Sequence, residues 1–155
     1  MLHAASAILP VLVASVLGAI ATRPNVATWY AQLAKPAFNP PVWVFSPAWT
    51  LLYIFMAYAL FRVLQNSRAG RARAAAIVCF LVQIALNAAW SWAFFADQSP
   101  VGGLIVIAPL WLAIAATVIV FWPIDRWSGI LLLPYLAWVS FAAALNLEIF
   151  RLNQY

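Results

Sequence analysis

Three polar residues recur at four-residue spacing within one apolar stretch: Gln83, Asn87 and Ser91. In an α-helix this spacing places all three on one face. An amide facing lipid is costly, so this face must contact protein or a ligand. Asn87 either bonds a neighbouring helix, as is common in membrane bundles, or serves as the polar anchor of an otherwise apolar pocket. The spacing alone leaves both interpretations open.

Two tryptophans lie too deep in apolar stretches to act only as interface anchors. Trp49 precedes Tyr53 by four residues, and Trp138 follows Pro134 by four. An indole inside a bundle offers a large π face and one N–H donor, which suits stacking on a planar ligand whose orientation a nearby amide sets. Other tryptophans stand at the ends of the stretches, where an interfacial aromatic belt is expected: Trp43, Trp122 and Trp127.

Several classes of function are disfavoured by residue usage. His3 is the single histidine and Cys79 the single cysteine, so metal sites and His-based nucleophilic chemistry lack their usual groups. The net charge of +5 comes from basic residues beside the apolar stretches, without interleaved aromatics, which argues against nucleic-acid binding. The apolar stretches contain no lysine, arginine or carboxylate pair, which disfavours ion-coupled transport. We expect no required cofactor and no metal.

The elements that position these residues follow from composition. The chain is 68% hydrophobic and only 7% charged, whereas soluble domains carry about 25% charged residues. Five charge-free stretches are long enough to cross a hydrocarbon core, which takes about 20 helical residues. The sequence therefore predicts an all-α integral membrane protein with a single domain over 1–155, a five-helix bundle whose helices lie near 4–21, 46–65, 74–96, 101–122 and 127–150. The first stretch ends like a signal peptide but has no preceding Lys or Arg, and we expect a retained helix.

The connection at 23–45 is far longer than the turns at 97–100 and 123–126, and long connections in compact proteins are often functional. Its prolines fix φ and stiffen it. Thr28 to Ala34 lies between two prolines and can form a short helix, with Trp29, Tyr30 and Leu33 facing the bundle. The connection is predicted to be a structured lid.

Loop charges indicate the orientation. The side holding the N-terminus, the segment from Arg62 to Arg73 and the Asp125-Arg126 turn has five Lys/Arg, against three on the other side. The N-terminus is therefore predicted on the same side as Arg68, and Tyr155 on the opposite one. In an inner membrane the N-terminal side would be cytoplasmic. We expect a bacterial cell-envelope membrane, with inner or outer left open.

Small residues on helical faces permit close helix approach and motivate the expectation of a homodimer. The two motifs are Ala14-x3-Gly18 and Ala75-x3-Cys79.

A dense motif in the long connection resembles the tryptophan-rich sensory protein, or translocator protein (TspO/peripheral benzodiazepine receptor), family. It reads Trp29-Tyr30-x2-Leu33-x-Lys35-Pro36-x3-Pro40-Pro41-x-Trp43-Val44-Phe45-x-Pro47-x-Trp49-x3-Tyr53. Two later blocks agree with it: Asn87-x2-Trp90-x3-Phe94-Phe95, and Pro134-Tyr135-x2-Trp138-x6-Leu145-Asn146 followed by Leu152-Asn153. The likeness covers nearly the whole chain. It departs at Phe38, where the family commonly has Trp, and at Phe150 before Arg151, where a sterol-linked segment has Tyr.

The resemblance implies a five-helix bundle, often homodimeric, that binds porphyrins such as protoporphyrin IX or haem, sterols, and isoquinoline carboxamide or benzodiazepine drugs beneath the first long loop. The ligand-binding residues it implies are Trp29, Tyr30, Pro40, Pro41, Trp49, Tyr53, Asn87, Trp90, Phe94, Trp138, Ala142 and Asn146. The leading hypothesis is a membrane receptor or sensor in tetrapyrrole regulation or stress response. The alternatives are a porphyrin or sterol transporter, and a light-dependent porphyrin-degrading enzyme that would use Trp49 and Trp138.

Overall fold

The computed structural model describes residues 2–154, so the predicted position of Tyr155 lies outside the described residues. Within that range the chain is helical and has no strand. The elements are α1 (Leu2–Val26), α2 (Trp29–Gln32), α3 (Val42–Asn66), α4 (Arg71–Ser91) continued by a π-helical turn (Trp92–Ala96), α5 (Pro100–Phe121) and α6 (Arg126–Leu152). The predicted all-α fold class is confirmed.

Five of these helices are long and apolar enough to cross a membrane: α1, α3, α4 with its π turn, α5 and α6, with 22 to 27 residues each. Large apolar side chains also cover the outside of the bundle, among them Ile105 and Ile119, which are 69% and 70% exposed. An apolar exterior of this extent requires lipid as its solvent. The chain is an integral membrane protein with five candidate spans.

The two helices that flank the long connection, α1 and α3, extend further into it than predicted. α1 continues to Val26 and α3 starts at Val42, so the connection comprises residues 27–41 instead of 23–45. Pro24 lies inside the last turn of α1, and Pro41 is the N-cap of α3 with ψ of 141°. Pro41 disfavours helix at Pro40, the residue before it, and Pro41 itself is extended, so the first helical residue of α3 is Val42.

The five long helices close into a ring in which spatial neighbours are not always neighbours in sequence. α1 packs against α3 and α4, α4 against α5, α5 against α6, and α6 against α3. The interior of the ring holds fully buried side chains such as Phe80 and Phe121, which stack 6.1 Å apart. This order makes α3 and α6 adjacent and sets α4 across the interior from them.

Small residues of α1 face the inside of this ring. Ala14 is 4% exposed, and a Cβ on Gly18 would lie 3.3 Å from the Ser91 Oγ of α4. The Ala14 and Gly18 face therefore packs within one chain and is not free for a second copy, whereas Ala75 on α4 is exposed. Of the two small-residue motifs, only the one at Ala75 remains accessible to a partner.

At the end of the bundle that holds the N-terminus, an ion pair joins α3 to the start of α6. Arg62 of α3 donates two hydrogen bonds to the Asp125 carboxylate, at 2.7 and 2.9 Å, in a bidentate pair. Asp125 also caps α6 by accepting from the Ser128 N–H at 3.0 Å and from its hydroxyl. These hydrogen bonds, the one from Arg62 first, lower the pKa of Asp125 to about 2. His3 lies beside Arg73 at this same end, in agreement with the predicted side of the N-terminus.

The Asp125 pair predicts a stability that depends on acid pH. Because the pKa of Asp125 is about 2 when folded and about 3.9 when unfolded, its contribution is present above about pH 4 and is lost as the pH falls toward 2. We expect Asp125→Asn to lower the melting temperature at pH 7 and to flatten its decline between pH 4 and 2, as followed by circular dichroism in detergent. Glu148→Gln, which removes an exposed pair with Arg151, is the control. Equal slopes in wild type and Asp125→Asn would contradict the prediction.

Candidate ligand-binding site

Aromatic side chains of α3 and α6 meet at the interior edge of the ring. The Trp49 ring lies 5.6 Å from Tyr53, 6.3 Å from Tyr135 and 6.5 Å from Trp138. The two indoles are nearly perpendicular, at 83°. We call this group the indole site: Phe45, Trp49, Tyr53, Tyr135 and Trp138. The neighbouring positions of α3 and α6 in the ring bring together residues that are more than 80 positions apart in sequence.

Asn87 reaches the indole site from the opposite side of the ring. Its Oδ1 accepts from the Tyr53 hydroxyl at 3.0 Å, and its Nδ2 donates to the Tyr135 hydroxyl oxygen at 3.0 Å. The amide is 1% exposed. It therefore ties α3, α4 and α6 together, which is the interhelical role left open by the sequence; a direct bond to a ligand stays a prediction.

A second aromatic group lies between the lid and α4, where the π turn widens the helix. Asp97 N–H donates to the Trp92 carbonyl five residues earlier, and the buried Phe94 stacks on Trp90 at 5.4 Å. Trp29 and Tyr30 of α2 contact the Phe94 ring at 5.4 and 6.3 Å. We call this group the under-lid cluster: Trp29, Tyr30, Trp90, Phe94 and Phe95. The predicted face of the short helix thus packs down onto the bundle.

Asn146 supports the under-lid cluster from α6. Its Oδ1 accepts from the Trp90 indole N–H at 3.3 Å, and its Nδ2 donates to the Pro100 carbonyl at 2.8 Å. The side chain fits because Gly103 of α5 has no Cβ: one built there would collide with Asn146 Oδ1 and would lie 2.8 Å from Phe94 Cδ2. Gly103 therefore allows α5 and α6 to approach closely around Trp90.

The lid is joined by hydrogen bonds to the end of α6 and is braced by further hydrogen bonds within itself. Ala34 N–H donates to Asn153 Oδ1, and Asn153 Nδ2 donates to the Ala34 carbonyl, both at 3.0 Å. The buried Tyr30 hydroxyl donates to Asn39 Oδ1 at 2.8 Å, and Asn39 Nδ2 donates to the Pro40 carbonyl at 3.1 Å. Burial raises the pKa of Tyr30 to about 12, so its hydroxyl keeps its proton as the donor.

The residues predicted to bind ligand thus fall into separate groups. The structure brings Trp49, Tyr53, Asn87 and Trp138 together, with the half-buried Ala142 nearby on α6. It places Trp29, Tyr30, Trp90 and Phe94 in the under-lid cluster, beside Asn146. Pro40 and Pro41 precede α3 in the lid. Tyr135 was not predicted as a site residue, although its position three residues before Trp138 on α6 was a usable signal. Gly103 and Asn153 were not predicted because their roles depend on contacts distant in sequence, and Asn39 was missed although its partners Tyr30 and Pro40 lie within nine residues.

A separate apolar groove of about 530 Å³ runs between α1, α3 and α4. Leu9, Leu17, Leu60, Leu64 and Ile84 are among its lining residues. It contains none of the predicted ligand-binding residues and lies on another side of the bundle from the indole site.

Asn87→Leu is expected to destabilise the bundle by about 1–3 kcal/mol, because the Tyr53 and Tyr135 hydroxyls lose their amide partner. Adding Tyr53→Phe and Tyr135→Phe to this variant should recover much of the loss, since no stranded hydroxyl remains. Thermal unfolding of the single and triple variants in the same detergent is the measurement. A triple variant less stable than Asn87→Leu alone would show that the amide bridge is not the cause.

Comparison with known proteins agrees with this architecture. The TspO/MBR family model matches residues 6–152, which include both aromatic groups and the lid. The chain belongs to the TspO/MBR family.

Curated TspO relatives match over most of their length. The tryptophan-rich protein TspO of Chlorobaculum tepidum is 44% identical over 84% of this chain and 83% of its own. The protein of the same name from Archaeoglobus fulgidus is 40% identical over 96% of this chain and 95% of its own. The translocator protein of Bos taurus is 34% identical over 89% and 82%. The TspO resemblance drawn from the motif residues is thereby confirmed.

Proposed function

We propose that this TspO-family chain is a membrane receptor that binds a porphyrin, or a similar planar apolar ligand, at the indole site beneath the lid. The observation that carries the proposal is the perpendicular pair of half-buried indoles, Trp49 and Trp138, with the buried amide of Asn87 across the ring interior. A flat ligand would stack on one indole while the edge of the other contacts it, both of which are favourable aromatic geometries.

Hydrogen-bonding groups that are not used within the protein at the indole site support the same ligand class. In the described part of the chain, the indole N–H groups of Trp49 and Trp138 make no hydrogen bond to protein. Asn87 uses one of its two N–H donors and one of its two acceptor sites. An apolar macrocycle with a few polar substituents would use these groups for orientation, as is usual for ligand pockets.

The lid supports controlled access to the site. Trp29 and Tyr30 pack on Phe94, and the Ala34 pair with Asn153 joins the lid to the end of α6. A ligand entering from this side would have to displace these contacts. Loop closures of this kind commonly exclude water from a bound ligand.

Within this proposal protoporphyrin IX and haem are the leading ligands, and sterols, isoquinoline carboxamides and benzodiazepines belong to the same class of flat apolar molecules. The proposed role is tetrapyrrole regulation or stress response in a bacterial cell-envelope membrane.

We also propose a homodimer that uses the accessible α4 face at Ala75. The mass of the detergent-solubilised protein, corrected for bound detergent, tests this, and a monomer would contradict it.

Titration of the purified chain with protoporphyrin IX tests the main proposal. In darkness we expect saturable quenching of protoporphyrin fluorescence. Spectra of the same samples under illumination separate binding from breakdown, since stable absorbance indicates a receptor and loss of the porphyrin bands indicates the degrading enzyme. Quenching that does not saturate, or that equals that of detergent alone, would contradict the proposal.

A further inference from the structure

Gln83 is a buried amide without a partner. It is 1% exposed, and among residues 2–154 neither its Oε1 nor its Nε2 has a hydrogen-bond partner. Native proteins rarely leave a buried amide unpaired, because losing hydration without a new bond is costly. Such a group in the core of a membrane bundle points to a partner that is not part of the protein.

A second open group, the Tyr135 hydroxyl of α6, is linked to the neighbour of Gln83 on α4 by a hydrogen bond. Gln83 precedes Asn87 by one helical turn, which sets their Cβ atoms roughly 5–6 Å apart. Asn87 donates to the oxygen of Tyr135, a fully buried residue. Within the described residues the Tyr135 hydroxyl proton has no protein acceptor. The bonded series from Tyr53 through Asn87 to Tyr135 thus ends in a free donor that is one hydrogen bond away from Asn87, the neighbour of Gln83 on the same face of α4.

We propose that Gln83 and Tyr135 form an inner polar subsite for a ligand group that both donates and accepts a hydrogen bond, such as a neutral carboxyl or a hydroxyl. Gln83 Oε1 accepts from the O–H of that group, while Gln83 Nε2 or the Tyr135 hydroxyl donates to its oxygen. The subsite rests on the proposed porphyrin site. It would make that site select ligands that carry such a group at their inner end.

The order of residues along α4 supports this inner position. From the lid inwards the helix presents Phe94, Trp90, Asn87 and then Gln83, whereas Phe80 one turn further on is stacked on Phe121. Gln83 is therefore the last polar side chain on this face of α4 before Phe80 and its apolar contact with Phe121. A carboxyl at this depth binds in its neutral form, because burial disfavours the charged one.

The test compares protoporphyrin IX with its dimethyl ester, which keeps the macrocycle and the carbonyls but has no carboxyl O–H. Gln83→Leu and Gln83→Met both remove the amide, and an orphan amide should be replaceable without unfolding the bundle. We expect either variant to weaken binding of the free acid by about two- to tenfold and to leave binding of the ester within about twofold. Gln65→Leu, an exposed amide at the end of α3, is the control and should change neither.

The outcomes separate this subsite from the proposed function. Equal weakening of acid and ester in the Gln83 variants would mean an effect through packing and would overturn the subsite. Unchanged binding of both ligands, with weakened binding in Trp49→Leu and Trp138→Leu, would overturn the subsite and leave the indole site standing. Unchanged binding in all four variants would overturn both proposals.

Discussion

Protoporphyrin affinity is expected to fall by about 5- to 150-fold when Trp49 and Trp138 are both replaced by leucine. Each aromatic contact contributes roughly 0.5–1.5 kcal/mol beyond area burial, so the sum for two contacts, before any coupling between them, is about 1–3 kcal/mol. The two rings lie 6.5 Å apart, close enough to couple, so the double variant will depart from the product of the single ones. Fluorescence titration of the double and single variants measures both quantities.

The control for this loss is an indole on the surface of the bundle. Trp127 stands at the start of α6 and is 63% exposed, so Trp127→Leu removes a tryptophan from the same helix as Trp138 without touching the indole site. Thermal unfolding of every variant shows whether a weaker binder is still folded. Wild-type affinity in both Trp49→Leu and Trp138→Leu would return the two residues to a role in core packing.

Gly103→Val is expected to lower stability by about 2–5 kcal/mol. Overpacking a tight contact costs about 1–3 kcal/mol, and displacing Asn146 would leave the Trp90 N–H without its acceptor, which costs a comparable amount. Because the π turn and the lid pack on the same cluster, the loss should extend to lid closure. We expect greater cleavage by protease within residues 27–41, followed together with the melting temperature.

A matched change on the same helix is the control for Gly103. Ala116 of α5 is exposed, so Ala116→Val adds a β-branched side chain on the outer face without a collision. Adding Asn146→Ala to Gly103→Val makes room for the new methyl groups and should recover part of the loss. If Gly103→Val had the same melting temperature as Ala116→Val, the close approach at Gly103 would not be required.

Much of the fold was predictable because the bilayer imposes strict rules on sequence. A helix crossing hydrocarbon must be long and nearly uncharged, so five apolar stretches already indicated five spans. The limits near the lid were less predictable. The predicted connection at 23–45 included Pro24, yet this residue lies within the last turn of α1, since proline is tolerated in membrane helices.

The candidate site was predictable in its components and not in its grouping. Four-residue spacing placed Asn87 and Gln83 on one inward face, and depth in the apolar stretches singled out Trp49 and Trp138. Which of these four side chains would contact each other depended on the order of the helices in the ring. In that order α3 packs against α6 much more than against α4. Helical periodicity gives the direction of a side chain from its own axis and carries no information on which helix lies opposite.

By itself the sequence determined a five-span, all-α membrane protein of the TspO type, because hydropathy, charge position and a dense motif are local properties of the chain. Only the tertiary structure decided that Asn87 bonds Tyr53 and Tyr135, that Gly18 packs within its own bundle, and that Asn153 holds the lid at Ala34. These contacts join residues 34 to 119 positions apart. Their formation depends on how apolar faces fill the interior without voids, which is a property of the whole packed bundle.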